Sequence, residues 1–185
     1  MSLRRRLLAL GAGLLLAASP AAADQTNPLL KLLFANLRAS TDSAEAQTLE
    51  VAIWRLWLEH PDPAINLLMR QGLAARQSRD LEQALAIFDR VVTLAPDYAE
   101  GWNQRAMVHY QRGERRAAMR DIQRTLALEP RHFGALSGMA LLFLQRGDEV
   151  WALKAYQEVL RIHPNAEGVR AQVEELQDSI RSRTI

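Results

Sequence analysis

The chain has 185 residues, 23 Lys+Arg against 21 Asp+Glu, and no cysteine. A cysteine-free chain has no disulfide framework, no thiol nucleophile and no thiolate metal site. A formal charge of +2 is far from the clustered basic face that nucleic-acid partners need.

Arg4, Arg5 and Arg6 open the chain, and Leu7 to Ala18 follow as an apolar run. Ser19-Pro20 breaks that run, and Ala21-Ala22-Ala23 precedes Asp24. A basic start, a short apolar stretch and an Ala-x-Ala site follow the order of a secretory signal peptide. Residues 1–23 are therefore expected to be a leader cut after Ala23, and the mature chain to be periplasmic or secreted. The run falls short of the roughly 20 residues that span a bilayer. No stable membrane insertion is expected after cleavage; an uncleaved anchor is the alternative. Without the three arginines the rest carries 20 basic against 21 acidic residues, so nucleic acid is not an expected partner.

Residues 24–64 read as a pair of helices, separated at Ser40-Thr41-Asp42-Ser43. Trp54 and Trp57 are three apart and share a helix face. Their expected place is the core of that pair, with a binding platform as the sharper alternative.

From residue 65 the chain has a period. Pro96, Pro130 and Pro164 are each 34 residues from the next, dividing it into 65–98, 99–132 and 133–166. The fourth column reads Leu68, Trp102, Leu136, and the eighth Gly72, Ala106, Ala140. The twentieth reads Ala84, Ala118, Ala152, and the twenty-fourth Phe88, Ile122, Tyr156. Small residues let two antiparallel helices approach, and large ones fill the space beside that contact. Turns fall at Ser78-Arg79-Asp80, Arg112-Gly113-Glu114 and Arg146-Gly147-Asp148, where Gly113 and Gly147 suit the left-handed conformation that ends a helix. Each late proline stops the second helix of its unit. Residues 167–185 form a last amphipathic helix and tail, with Val169, Val173, Leu176 and Ile180 on one face, as a solenoid cap requires. Extended backwards, the period places Phe34 and Trp54 in large columns, but Arg38 and Glu50 fall where small residues belong. The first pair is thus either a degenerate repeat or a bespoke cap.

No Gly-rich phosphate loop, His-Glu-x-x-His or Gly-x-Ser-x-Gly occurs, so neither an enzyme nor a cofactor is indicated. His60, His109, His132 and His163 do not pair at helical spacing, and read as capping or surface residues in preference to metal ligands.

The columns resemble the tetratricopeptide repeat. The resemblance implies an all-α fold, an α-solenoid of antiparallel helix pairs with a right-handed twist, and a non-catalytic module binding a protein or peptide in its concave groove. It further implies that groove positions are Asn66, Met69, Leu73 and Arg76 in the first unit. In the second they are Glu100, Asn103, Met107 and Tyr110, and in the third Gly134, Ser137, Leu141 and Leu144. Family members that clamp a partner's terminal carboxylate use basic groove residues. Here those positions read Met69, Leu73, Gln104, Gly134 and Gly138, so such a clamp is not expected. An adaptor of the cell envelope is the leading expectation; a small-ligand or glycan-binding subunit of a cell-wall enzyme is the alternative.

Overall fold

The structure, a computed structural model, describes residues 24–183, so the expected leader and cleavage site lie outside the described residues. Those residues form nine α-helices: α1 (Leu29–Ala39), α2 (Ser43–Leu58), α3 (Pro63–Gln77), α4 (Leu81–Leu94), α5 (Ala99–Gln111), α6 (Arg115–Leu128), α7 (Phe133–Leu144), α8 (Glu149–Ile162) and α9 (Glu167–Arg183). No helix among them is long and apolar enough to cross a membrane.

The three units are the helix pairs α3–α4, α5–α6 and α7–α8, with α9 packed on α8. Their turns are made alike. The N–H groups of Asp80, Glu114 and Asp148 each donate 2.9 Å to the carbonyl five residues earlier, those of Ala75, His109 and Phe143. This is the six-to-one bond of a Schellman ending, whose preceding residue must be left-handed. Gly113 and Gly147 take φ of +76° and +79° there, and Arg79 holds the same position at +63°. Asp62 and Asp80 cap α3 and α4, accepting from Ala64 N–H and Gln83 N–H.

The column logic holds inside the core. Ala84, Ala118 and Ala152 are fully buried between their helices. A Cβ on Gly72 would stand 2.7 Å from the Phe88 ring, so the small eighth residue makes room for the large twenty-fourth. Val173 and Leu176 of α9 cover Ala152, Ala155 and Tyr156, closing the end of the stack.

The hairpin α1–α2 departs from the stack. The second helix of each unit packs on the next helix in sequence, yet α2 makes no comparable contact with α3. Instead α1 lies against α8, and α2 crosses α5. Leu30, Phe34, Leu37, Ile53 and Trp57 form one buried cluster with Phe133, Leu136, Val159 and Ile162, which belong to α7 and α8. Asp42 permits this sharp hairpin: its carboxylate accepts from Ala44 and Glu45 N–H and starts α2 immediately after α1 ends.

Each turn between units holds one part of the hairpin. After the first unit, the Tyr98 hydroxyl donates 2.8 Å to the Trp57 carbonyl, and Gln25 bonds Asp97 O and Ala99 N–H. After the second, His132 stacks on Trp57 and Arg131 lies over Phe34. After the third, His163 meets Glu50 at 3.2 Å, and Asn165 donates 2.7 Å to Ser40 O. The hairpin is therefore a strap across all three: α1 runs with the order of the repeats, from Phe34 at the second turn to Ser40 at the third, and α2 returns against it, from Glu50 at the third to Trp57 at the first.

Candidate functional site

The strap decides how much of the groove stays open. Trp54 projects from α2 onto α7, and a Cβ on Gly134 would lie 2.6 Å from its ring. The indole thus sits at a groove position left vacant by glycine. Its Nε1–H donates 3.2 Å to Glu50 Oε1, while Glu50 Oε2 faces His163 Nε2. That hydrogen bond to His163 is the main reason the Glu50 carboxyl is held below the usual carboxylate range; burial opposes it, and the Trp54 bond assists. The Trp54 ring is fixed edge-on to Trp57, His132 and Phe133, with centroids 5.3–5.5 Å apart.

Beside Trp54 a cleft of about 380 Å³ remains between α5 and α7. From α5 it takes Asn103, Ala106, Met107, Tyr110 and Gln111; from α7, Gly134, Ser137, Gly138 and Leu141; Ile122 of α6 lies among them. Among the described residues no charged side chain lines it. Met107 and Leu141 keep 39% and 41% of their surface exposed, and both line this one cleft. The polar groups are partly engaged: Asn103 Nδ2 donates to Glu100, Ser137 Oγ to Phe133 O, and Gln145 Nε2 to the Tyr110 hydroxyl.

Of the groove positions expected from sequence, Asn103, Met107, Tyr110, Gly134, Ser137 and Leu141 come together here. The others do not. Met69 is 2% exposed, enclosed by α3, α4 and Tyr98, with Leu73 packed against the same cluster. Asn66 braces the preceding turn, donating to His60 O and accepting from His60 N–H. Arg76 is half-buried in the last turn of α3, away from the cleft. Leu144 packs into the core of α8 and α9. Glu100 is 1% exposed, and serves the fold. Its carboxylate accepts from Asn103, Gln104 and His132 Nε2, the last at 2.8 Å. His132 Nδ1 accepts from Ala135 N–H, which assigns the Nε2 proton to the Glu100 bond.

Trp54, Ala106, Gln111 and Ile122 complete the cleft without having stood among the expected groove positions, and Gly138 lines it where the carboxylate clamp of other repeats would sit. The histidines of the turns are more deeply placed than surface caps: His132 and His163 are both buried. His109 pairs with Glu114 at 2.6 Å, outside the cleft.

Two models of the tetratricopeptide repeat match residues 71–133 and 103–167. A TPR repeat-containing protein of Rhizobium etli is 35% identical over 94 residues, which is 51% of this chain and 46% of that protein. The chain spans about half the length of this curated relative. Among solved structures, the Sgt2 TPR domain from Aspergillus fumigatus superimposes with a TM-score of 0.61 at 20% identity, over 67% of this chain and 83% of that one. The first TPR of Spaghetti (RPAP3), solved with an HSP90 peptide, gives 0.60 at 16% identity, over 63% and 92%. The TPR2B domain of yeast Sti1, solved in a complex with pHsp70, gives 0.59 at 13%, over 64% and 99%. At these identities the likeness concerns the fold. Together the two matches span 71–167, more than half of the chain, and with the three 34-residue units they mean that it belongs to the tetratricopeptide-repeat family.

Proposed function

We propose that the chain is a non-catalytic protein-interaction module that holds a peptide or helix of a partner in the open part of its concave groove. The observation that carries this reading is the uncharged cleft between α5 and α7, with Met107 and Leu141 exposed at its rim. Apolar side chains exposed on a concave face are the usual mark of recognition, and methionine adapts to varied partners. The peptide and pHsp70 complexes of the Spaghetti and Sti1 domains support the same use of this fold. The HSP90 peptide itself, SRMEEVD, is acidic, and this cleft offers it no basic residue. A glycan is disfavoured for a related reason, because the surface around Trp54 is largely apolar.

The leader-like start supports an adaptor working in the periplasm or outside the cell. N-terminal sequencing of the secreted or periplasmic protein should begin at Asp24; an intact Met1 in the membrane fraction would show an anchor instead. Affinity capture from envelope extract tests the binding role. Replacing Met107 and Leu141 by Glu should remove the captured partner while helicity is kept. Capture that survives both changes places the interaction elsewhere on the molecule. Met69 is unsuited to this test, because a charge there would enter the core.

A further inference from the structure

Resting on that reading, we infer that the cleft between α5 and α7 is an anchor pocket for a single uncharged apolar side chain, of the size of leucine or phenylalanine, carried by a segment of the protein partner, and that Trp54 is the surface it packs against. Three observations lead there. The first is extent. A repeat groove normally offers a continuous concave surface, but here the strap crosses it and Trp54 occupies the Gly134 position. About 380 Å³ remains, near the lower limit for ligand pockets. That space suits one anchor side chain and its neighbours, and not the long face of a helix.

The second is charge. Among the described residues no lining side chain is ionisable at neutral pH, and Glu100, the buried carboxylate bonded to the lining residue Asn103, is already held by Asn103, Gln104 and His132. A charged ligand group would lose its hydration and meet no counter-ion. The complementary occupant is neutral and apolar.

The third is support. Anchor pockets bind tightly when their walls are already in place. Trp54 is held by its bond to Glu50 and by T-shaped contacts with Trp57, His132 and Phe133, so this wall is in place before the ligand arrives. One turn along the same face of α7 from Gly134, Gly138 exposes bare backbone; a Cβ there would meet only Ile122 Cδ1, at 3.3 Å. The partner's main chain can therefore approach α7 closely.

A random dodecamer peptide library displayed on phage, selected against the purified full chain, tests the proposal. Selected peptides should share an uncharged stretch with one central Leu, Phe, Met or Trp. Changing that residue to Ala should weaken binding by about thirty-fold or more, as for an interface hot spot. Gly138→Leu should fill the pocket and abolish binding; Met107→Glu at the exposed rim should do the same, and it decides the matter if Gly138→Leu does not fold by circular dichroism. Peptides that bind both variants as well as the parent overturn the pocket and leave the interaction reading standing. Peptides that depend on a charged residue or a free carboxylate overturn the chemistry assigned to it. A library that yields no binder overturns the pocket and the peptide-binding reading together.

Discussion

The imidazole of His132 lies flat on the indole of Trp57, with ring centroids 4.1 Å apart and planes 7° from parallel. This contact joins the strap to the turn between the second and third units. The same imidazole accepts the Ala135 N–H at the start of α7 and donates to the buried Glu100 carboxylate. One side chain thus caps a helix, neutralises the isolation of a buried charge and seats the strap.

Replacing His132 by Leu should therefore cost far more than its volume suggests. Glu100 would remain buried with one donor fewer, and losing one hydrogen-bond partner of a buried group typically costs about 1–3 kcal/mol. Denaturant unfolding should show a lower midpoint of that order. The variant with both His132→Leu and Glu100→Leu should recover part of the loss, because the unpaired charge leaves with its partner. A double variant no better than the single one would mean that the stack on Trp57, and not the pairing, sets the cost.

Tyr98 supplies the corresponding tie at the first turn. Its phenol donates to the Trp57 carbonyl, in the last turn of α2, where helix carbonyls have no partner of their own. Burial, with Glu100 adding to it, pushes the phenol well above its ordinary range, so it remains a neutral donor throughout the accessible pH range. Tyr98→Phe keeps the ring and deletes the bond. It should destabilise the fold by about 1–3 kcal/mol, the usual cost of an enclosed unsatisfied carbonyl. Thermal melting reads this directly, and an unchanged midpoint would mean that water reaches the carbonyl.

Arg79 gives a prediction of opposite sign. It takes the left-handed position that Gly113 and Gly147 hold in the other units. A non-glycine residue pays about 1–2 kcal/mol for that conformation. Arg79 is exposed, so little packing is lost with it. Arg79→Gly should raise stability by up to about 1 kcal/mol, after allowance for glycine's greater freedom in the unfolded chain. Gly113→Ala should lower it by a similar amount. Matched melting curves of the two variants check both signs.

The repeats are legible in the sequence because their determinants are local. Gly72 and Phe88 are sixteen residues apart and touch across one hairpin, so column spacing reports their contact directly. The strap is not legible in that way. Trp57 meets Tyr98 and His132, and Glu50 meets His163, across distances of 41 to 113 residues that carry no periodic signal. For Trp54 and Trp57 the expectation of packing within the first pair is half of the answer: Trp57 meets Phe34 of α1, and both indoles also meet Phe133 of α7. The groove positions behave according to unit. In the second and third units the family's spacing leads to the cleft, with Glu100 and Leu144 as exceptions absorbed by the core. In the first unit Met69 and Leu73 are drawn into packing around Tyr98.

The third tie, Glu50 with His163, makes the strap sensitive to acid. Glu50 is held below the ordinary carboxylate range first by its hydrogen bond to His163, with the Trp54 N–H assisting and burial opposing. Its folded-state value lies below its unfolded value, so the unfolded chain binds the proton more readily. The stabilisation is complete above the unfolded value, about 4.3, and is lost as pH falls through the lowered folded value. Stability should therefore decline on the acid side of about pH 5 in part because this tie is released. Glu50→Gln keeps a hydrogen-bonding side chain but cannot titrate. It should lower stability at neutral pH and flatten the acid limb of the stability profile. Because Glu50 also holds the Trp54 indole, the same titration should shift tryptophan emission in the parent chain and not in Trp54→Phe. Equal acid limbs in the parent and Glu50→Gln would assign the acid sensitivity to other carboxylates. An emission shift that persists in Trp54→Phe would mean that acid loosens the molecule away from the cleft.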